Sequence, residues 1–298
     1  MPSTREIRRR IASIKNIGQI TRALQMVASS KMRRAQERVE QARPYAEQLR
    51  ALVSRLAQAR GEDIGDGAVL MIQRPVRKIG YVLISPDRGM CGALPSNINR
   101  RAASSVQEVR RELGEQGVEN AGVDFVAVGR KGRDFVVRSP YNLLAEFTSY
   151  GDRPGLNDAS AIAQVAMDAF IKGDVDRVYL VYARFINTAT QVPTAVKLLP
   201  VEPPATEPDE KQSVEYLYEP DPQSLFEALL PRYVDLQVYQ ALLESLACQW
   251  SAQMIAMKNA TDSARELLED LNLTYNKARQ ASITTQILEV VSGAEALG

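Results

Sequence analysis

Apolar residues near the start of the chain step forward by threes and fours: Ile7, Ile11, Ile14, Ile17, Ile20, Leu24 and Val27. That spacing draws one face of an α-helix. From Ser3 to Gln58 the only glycine is Gly18 and the only proline is Pro44. The pattern therefore predicts a helix of about 55 residues, roughly 80 Å long, with a bend at Pro44. Ser3 and Glu6 have capping-box spacing at its start. No compact domain encloses a helix of that length.

The other end of the chain repeats the pattern with a clearer period. Leu229, Leu236, Leu243, Trp250, Met257, Ala264, Leu271 and Ala278 recur every seven residues. A weaker series lies four residues after each: Tyr233, Gln240, Ala247, Met254, Thr261, Leu268, Tyr275 and Ser282. Together they form an a/d seam and predict a helix from about Pro222 to about Ala296, roughly 110 Å long. Small and polar seam residues (Thr261, Ala264, Ala278, Ser282) weaken the pairing but permit close approach, which suits a two-helix shaft. Two long complementary helices at opposite ends of one chain predict an antiparallel coiled coil.

Between them the periodicity shortens. Lys78–Ser85 and Asp124–Val128 are short apolar runs, as buried parallel strands require. Residues 97–115 and 157–172 read as amphipathic helices, and Arg177–Ile186 and Gln191–Leu199 as strands of an antiparallel edge hairpin. Strand and helix alternation of this kind gives a Rossmann-like, mostly parallel α/β domain. The expected organisation is a coiled-coil helix over 1–60, an α/β domain over 76–200, a proline-rich linker over 201–221 and a second coiled-coil helix over 222–298.

Composition narrows the chemistry. The 45% hydrophobic content supports a packed core. No run of about 18 apolar residues is present to span a bilayer, and the charged start MPSTREIRRR does not read as a secretory signal. The chain has no histidine, which removes the commonest general base and transition-metal ligand. Cys91 and Cys248 are distant in sequence and predict buried free thiols. The net charge of +1 conceals an asymmetry: residues 1–60 hold 14 Lys+Arg against 4 Asp+Glu, a charge of +10. Residues 222–298 hold 5 against 9, or −4, so pairing the helices leaves a basic surplus. Arg8, Arg9, Arg10, Lys31, Arg33 and Arg34 are expected to face an acidic partner.

Catalytic constellations are missing from the pattern. The loop SPDRGMCGALPSN follows a strand, yet Gly89 and Gly92 fit neither nucleotide-binding glycine spacing, so a turn packing Cys91 is expected. Gly129, Arg130, Lys131 and Gly132 read as a solvated turn with the composition of an anion site. Glu266, Glu269 and Asp270 fall outside the seam and serve solubility and ion pairing. Between Arg8 and Arg34 the basic arm has no zipper layout and no aromatic residue, which leaves no expected nucleic-acid partner. No cofactor is expected.

Three segments carry a family resemblance: MVASSKMRRAQ (26–36), RGMCGALPSNI (88–98) and MIAMKNATDSA with LNLTYNKARQASITTQILEVVSGAEAL (254–297). In this order they resemble the gamma subunits of F-type ATP synthases, of the bacterial type. The resemblance implies a noncatalytic central rotor stalk. Its paired helices would turn inside a ring of three alpha and three beta subunits, and its α/β domain would contact the epsilon subunit and the c-ring. Proton-driven rotation would then be coupled to ATP synthesis or hydrolysis on beta. Membrane association would be indirect, at the cytoplasmic face of a bacterial plasma membrane, as a start near Met1 without a transit extension suggests.

Carried over by motif, Arg279, Gln280 and Thr284 in KARQASIT match positions that hydrogen-bond to loops of beta, and Leu24 in TRALQMV matches a position near an acidic lever of beta. The stretch Ala247–Gln253 departs from the family pattern, with Trp250 where histidine is usual and Gln253 where arginine is usual. No inserted cysteine pair for thiol regulation is visible. Two other classes compete with the rotor reading: an α/β enzyme with oligomerising helical arms, and a coiled-coil nucleic-acid-binding or scaffold protein.

Overall fold

The computed structural model describes residues 3–59, 69–118, 121–202 and 221–295. Along the chain the elements are α1 (Thr4–Ala59), a 3-10 turn (Val69–Met71), β1 (Lys78–Ile84), α2 (Leu94–Glu115), β2 (Gly122–Val128), α3 (Arg130–Val137), β3 (Asn142–Phe147), α4 (Leu156–Lys172), β4 (Arg177–Phe185), β5 (Gln191–Leu199) and α5 (Pro222–Glu295). They divide into two compact units, one of Lys31–Ala252 and one of Met1–Ser30 with Gln253–Gly298. The predicted linker lies outside the described residues except at Val201, Glu202 and Asp221.

The larger unit is built on a five-stranded sheet in the order β3-β2-β1-β4-β5. β1 pairs in parallel with β2 and β4, β2 with β3, and only β4–β5 is antiparallel. β1 and β2 are buried at six of their seven positions, which is why they read as continuous apolar runs. On one face Ile98, Ala102, Val106 and Leu113 of α2 pack on Tyr81, Phe125 and Val181. On the other, α4 (Ile162, Phe170), the later part of α1 (Leu49, Val53, Leu56) and the first part of α5 (Phe226, Val234, Leu242) form a second core. Burying each such side chain contributes about 1.5–3 kcal/mol relative to leaving it exposed.

Two elements depart from the sequence expectation. The segment read as a solvated turn at Gly129–Gly132 opens helix α3, and β3 follows as an unpredicted parallel edge strand. β3 was illegible because its alternation is shallow, with Asn142, Leu144 and Glu146 exposed and Leu143, Ala145 and Phe147 only half-buried.

Close packing explains the glycines of α3. The Ser85 Oγ accepts the Gly132 N–H at 2.6 Å, and Ser85 N–H donates to the Val128 carbonyl at 2.8 Å. A Cβ on Gly132 would stand 2.7 Å from Ser85 Oγ. At the start of α3 the Arg130 N–H donates to Asp87 Oδ1 at 3.0 Å. A carboxylate of the same chain therefore occupies the place an external anion would take.

α5 is fastened to the β4–β5 hairpin by side chains at i, i+4 and i+7, one helix face. Glu244 Oε2 accepts the Phe185 N–H at 3.3 Å, Cys248 Sγ donates to the Ala183 carbonyl at 3.3 Å, and Ser251 Oγ donates to the Thr188 carbonyl. Both cysteines are buried, and burial pushes their thiols up, which keeps them protonated.

Burial also raises the carboxyl of Glu244, against the lowering effects of Gln240, the Phe185 N–H, Arg184 and Arg43. Tyr182 and Cys248 face it as well, and burial pushes Tyr182 up to about 12. With the folded value above the unfolded one, the unfolded chain releases this proton first. The group's contribution to stability is therefore greatest below the ordinary glutamate range and declines as pH rises through the raised value. Glu244→Gln should flatten that decline, read as urea midpoints of both proteins between about pH 4 and pH 8. Parallel pH profiles would count against the assignment.

In the smaller unit α1 and α5 run antiparallel. Thr21 meets Thr261 through their hydroxyls at 2.8 Å, and Arg8 Nη2 donates to Tyr275 Oη at 2.6 Å. A Cβ on Gly18 would lie 3.5 Å from Ala264 Cβ, so small residues do set a close approach. The seam of α1 is a heptad that the sequence reading missed. Ile7, Thr21, Ala28, Ala35, Leu49 and Leu56 are buried, and Ile14 and Ala42 partly so. Ile17, Ile20 and Val27, assigned to the buried face, are 46%, 59% and 50% exposed. Three consecutive three-residue steps, from Ile11 to Ile20, carried the apolar series off the seam, while polar or small residues held the true contact positions.

Candidate functional site

From Arg279 onward every described residue of α5 is exposed through Ala294. The register explains this: Tyr275 already lies against Arg8, one turn from the start of α1, so among the described residues the later ones have no partner helix. Five large apolar side chains are uncovered there: Ile283, Ile287, Leu288, Val290 and Val291, at 47–71% exposure. The stretch is continuous helix with an uncovered apolar component and few charges, a surface that needs other protein around it.

Arg279, Gln280 and Thr284 lie on this uncovered stretch. Thr284 Oγ1 donates to the Gln280 carbonyl at 3.0 Å, which leaves its lone pairs and the Gln280 carboxamide facing solvent. Leu24 is half-buried on α1 beside exposed Ile20, Met26 and Val27. With Thr21 level with Thr261, Leu24 falls level with residue 258, about 30 Å along the helix from Arg279. The four residues therefore form two separate patches.

The basic arm is distributed differently from its sequence description. Arg10 pairs with Glu6 at 2.8 Å and Arg33 with Glu37 at 3.4 Å, both along α1. Arg8 is held by Tyr275, with its guanidinium 5.5 Å from the ring centroid. Arg9 and Arg34 are exposed. Lys31 turns inward within the larger unit, paired with Asp152 and lying 4.4 Å over the ring of Trp250. Arg34 lines a small cavity with Lys31, Arg38, Asp152, Arg153 and Trp250. Asp152 was missed by sequence reasoning, because 121 residues separate it from Lys31 and no spacing rule joins them.

Among the described residues no group of three or more cysteine, aspartate or glutamate side chains converges as a metal site requires, and no helix is long and apolar enough to cross a membrane.

The comparisons with known proteins converge on one family. A family model described as ATP synthase matches residues 3–297. The ATP synthase gamma chain of Roseiflexus castenholzii is 48% identical over 297 residues, covering all of this chain and 99% of the relative. This chain belongs to the ATP synthase gamma chain family. The gamma chains of Acidithiobacillus ferrooxidans and Dehalococcoides mccartyi, 46% and 45% identical, also match over their full length. A chain in the central stalk and c-ring structure of the Tetrahymena thermophila mitochondrial ATP synthase is 26% identical, with a TM-score of 0.58 over 81% of this chain and 99% of that one. A chain of the Euglena gracilis mitochondrial enzyme shares the fold, with a TM-score of 0.63 over 99% of this chain and 94% of that one at 19% identity. The chain is thus a noncatalytic subunit, and catalysis in such complexes belongs to the beta subunits.

Proposed function

We propose that this chain is the central rotor stalk of an F-type ATP synthase, coupling rotation of the c-ring to ATP synthesis, or ATP hydrolysis to rotation, at the beta subunits. The observation that carries the reading is the uncovered end of α5: a continuous helix that outruns its partner and exposes Ile283, Ile287, Leu288, Val290 and Val291. A ring of alternating alpha and beta subunits supplies the missing surroundings. Residues 1–60 and 222–298 serve as the shaft, and residues 76–200, joined to it through 201–221, as the body that takes up torque from the epsilon subunit and the c-ring. The complex lies at the cytoplasmic face of a bacterial plasma membrane, and this subunit is bound to it indirectly. No nucleic acid takes part.

Work is done through differential contact. Each angle of an asymmetric shaft stabilises one beta conformation over the others, and rotation shifts the populations in turn. Arg279, Gln280 and Thr284 supply polar handles to loops of beta, and Leu24 an apolar contact near an acidic segment. Arg9 and Arg34, exposed on the basic arm, and the partly satisfied Arg8, Arg10 and Arg33 give that arm its attraction for acidic surface. Purification of the native assembly tests the reading: the chain should copurify with ATPase subunits at about one copy per three beta subunits. An ATPase complex lacking it would sink the proposal.

A further inference from the structure

Within the larger unit, Lys31 is the first residue and Trp250 lies two residues before the last, so both sit where the two long helices pass out of that unit. Asp152 comes from the loop between β3 and α4. That loop is held at several points: Ser149 N–H donates to Asp87 Oδ2 at 3.0 Å, Arg130 Nη2 donates to Ser149 Oγ at 3.0 Å, and Tyr150 Oη donates to the Ser85 carbonyl at 3.3 Å. Asp152 is thereby fixed to the carboxyl ends of β1 and β2. Its carboxylate pairs with Lys31, and its carbonyl accepts Arg38 Nη1 at 3.0 Å. The ammonium of Lys31 lies 4.4 Å over Trp250, a ring only 3% exposed. The attraction of a cation for an aromatic face strengthens where water is excluded.

α5 has its own fastening to the sheet through Glu244, Cys248 and Ser251. At the same level α1 is fastened through Lys31 and Arg38. We infer that Asp152, Lys31 and Trp250 form a torque clamp: positioning residues that lock α1 to the sheet and to α5, so that rotation of the α/β body is delivered to both helices of the shaft. Without the clamp, α1 is held to the sheet only by its later part, through Leu49, Val53 and Leu56, and the stretch that enters the shaft can lag behind α5. This rests on the rotor reading and adds to it a route by which force enters α1.

The test uses the complete ATP synthase complex in vesicles, measuring ATP-driven ion pumping against ATP hydrolysis. Lys31→Met keeps most of the side-chain length and removes the charge; Asp152→Asn is isosteric and alters a side chain that is 45% exposed, so it is expected to fold as wild type. Each is expected to lower the pumping-to-hydrolysis ratio about fivefold, and the double variant no further, because both break one network. Lys31→Arg, which retains charge and ring contact, should keep most of the ratio. Trp250 is the only tryptophan, so Lys31→Met should also shift the intrinsic emission of the isolated chain. An unchanged ratio in both single variants, equal loss in Lys31→Arg, or an unmoved emission spectrum would each overturn the clamp. Wild-type complex that contains the chain yet never couples hydrolysis to pumping would instead overturn the rotor reading beneath it.

Discussion

Alanine at Gly129 is expected to destabilise the α/β unit by more than about 3 kcal/mol. Gly129 has φ 92° and ψ 144°, a conformation that side chains with a Cβ rarely adopt. The added Cβ would also stand 2.0 Å from the Ser85 carbonyl oxygen and 2.9 Å from its carbon. Neither atom has room to retreat. Ser85 is tied to Val128 by its N–H and hydroxyl, to Gly132 through Oγ and to Tyr150 through its carbonyl. Moving it would disturb the junction of β1, β2 and α3 and the loop that carries Asp152. Gly89→Ala is the control, since its Cβ would meet nothing within 4 Å, and should change stability by no more than about 0.5 kcal/mol. Urea unfolding followed by Trp250 emission gives both values. Equal midpoints for the two variants would refute the packing account.

Arg279→Ala combined with Gln280→Ala is expected to lower steady-state turnover of the complete enzyme more than tenfold while leaving the isolated chain as stable as before. Both residues are exposed on the uncovered part of α5. Alanine is also the best helix former, so the helix itself does not suffer. In the assembled enzyme, hydrogen bonds made by a charged or polar handle to a partner contribute about 1.5–3 kcal/mol each when one side is ionised. Two such losses at the rotor surface weaken the contacts that distinguish one angle from the next. Thermal melting of the free subunit should superimpose on wild type, and ATP hydrolysis and synthesis by the complex should fall together. Unchanged rates would remove these residues from the rotor surface.

The elements with a strong period were legible in the sequence. α5 was read from its sevenfold series, and the burial of Leu236, Leu243, Trp250, Met257 and Ala264 follows it. β1 and β2 were legible because strands buried on both faces read as nearly continuous apolar runs, broken here only by Lys78 and Asp124, which pair with each other at 2.7 Å. α1 was legible as a helix but not in its buried face, because Thr21, Ala28 and Ala35 hold seam positions that apolar counting passes over. α3 and β3 were lost because one is a single short helix opened by glycines and the other an edge strand with a weak alternation.

The same division holds for the functional surface. Arg279, Gln280, Thr284 and Leu24 came from motif resemblance, while the reason α5 is bare at its end lies in the register of the pair, which only the tertiary contacts set. Lys31 was grouped with the basic arm by its neighbours in sequence. Its partners Asp152 and Trp250 are remote along the chain, and nothing local announces them, although the single tryptophan at a seam position was the one irregularity pointing there.

Sequence by itself determined the two long helices, their antiparallel pairing and the α/β class between them, because periodicity and the placement of glycine and proline act over a few turns of chain. Tertiary structure decided which face of α1 is buried, where α5 loses its partner, how Ser85 joins β1 to α3, and that Lys31 faces inward. Each of these depends on distances between residues far apart in the chain, where packing and charge are settled by what the fold brings within a few ångströms and not by what stands next in line.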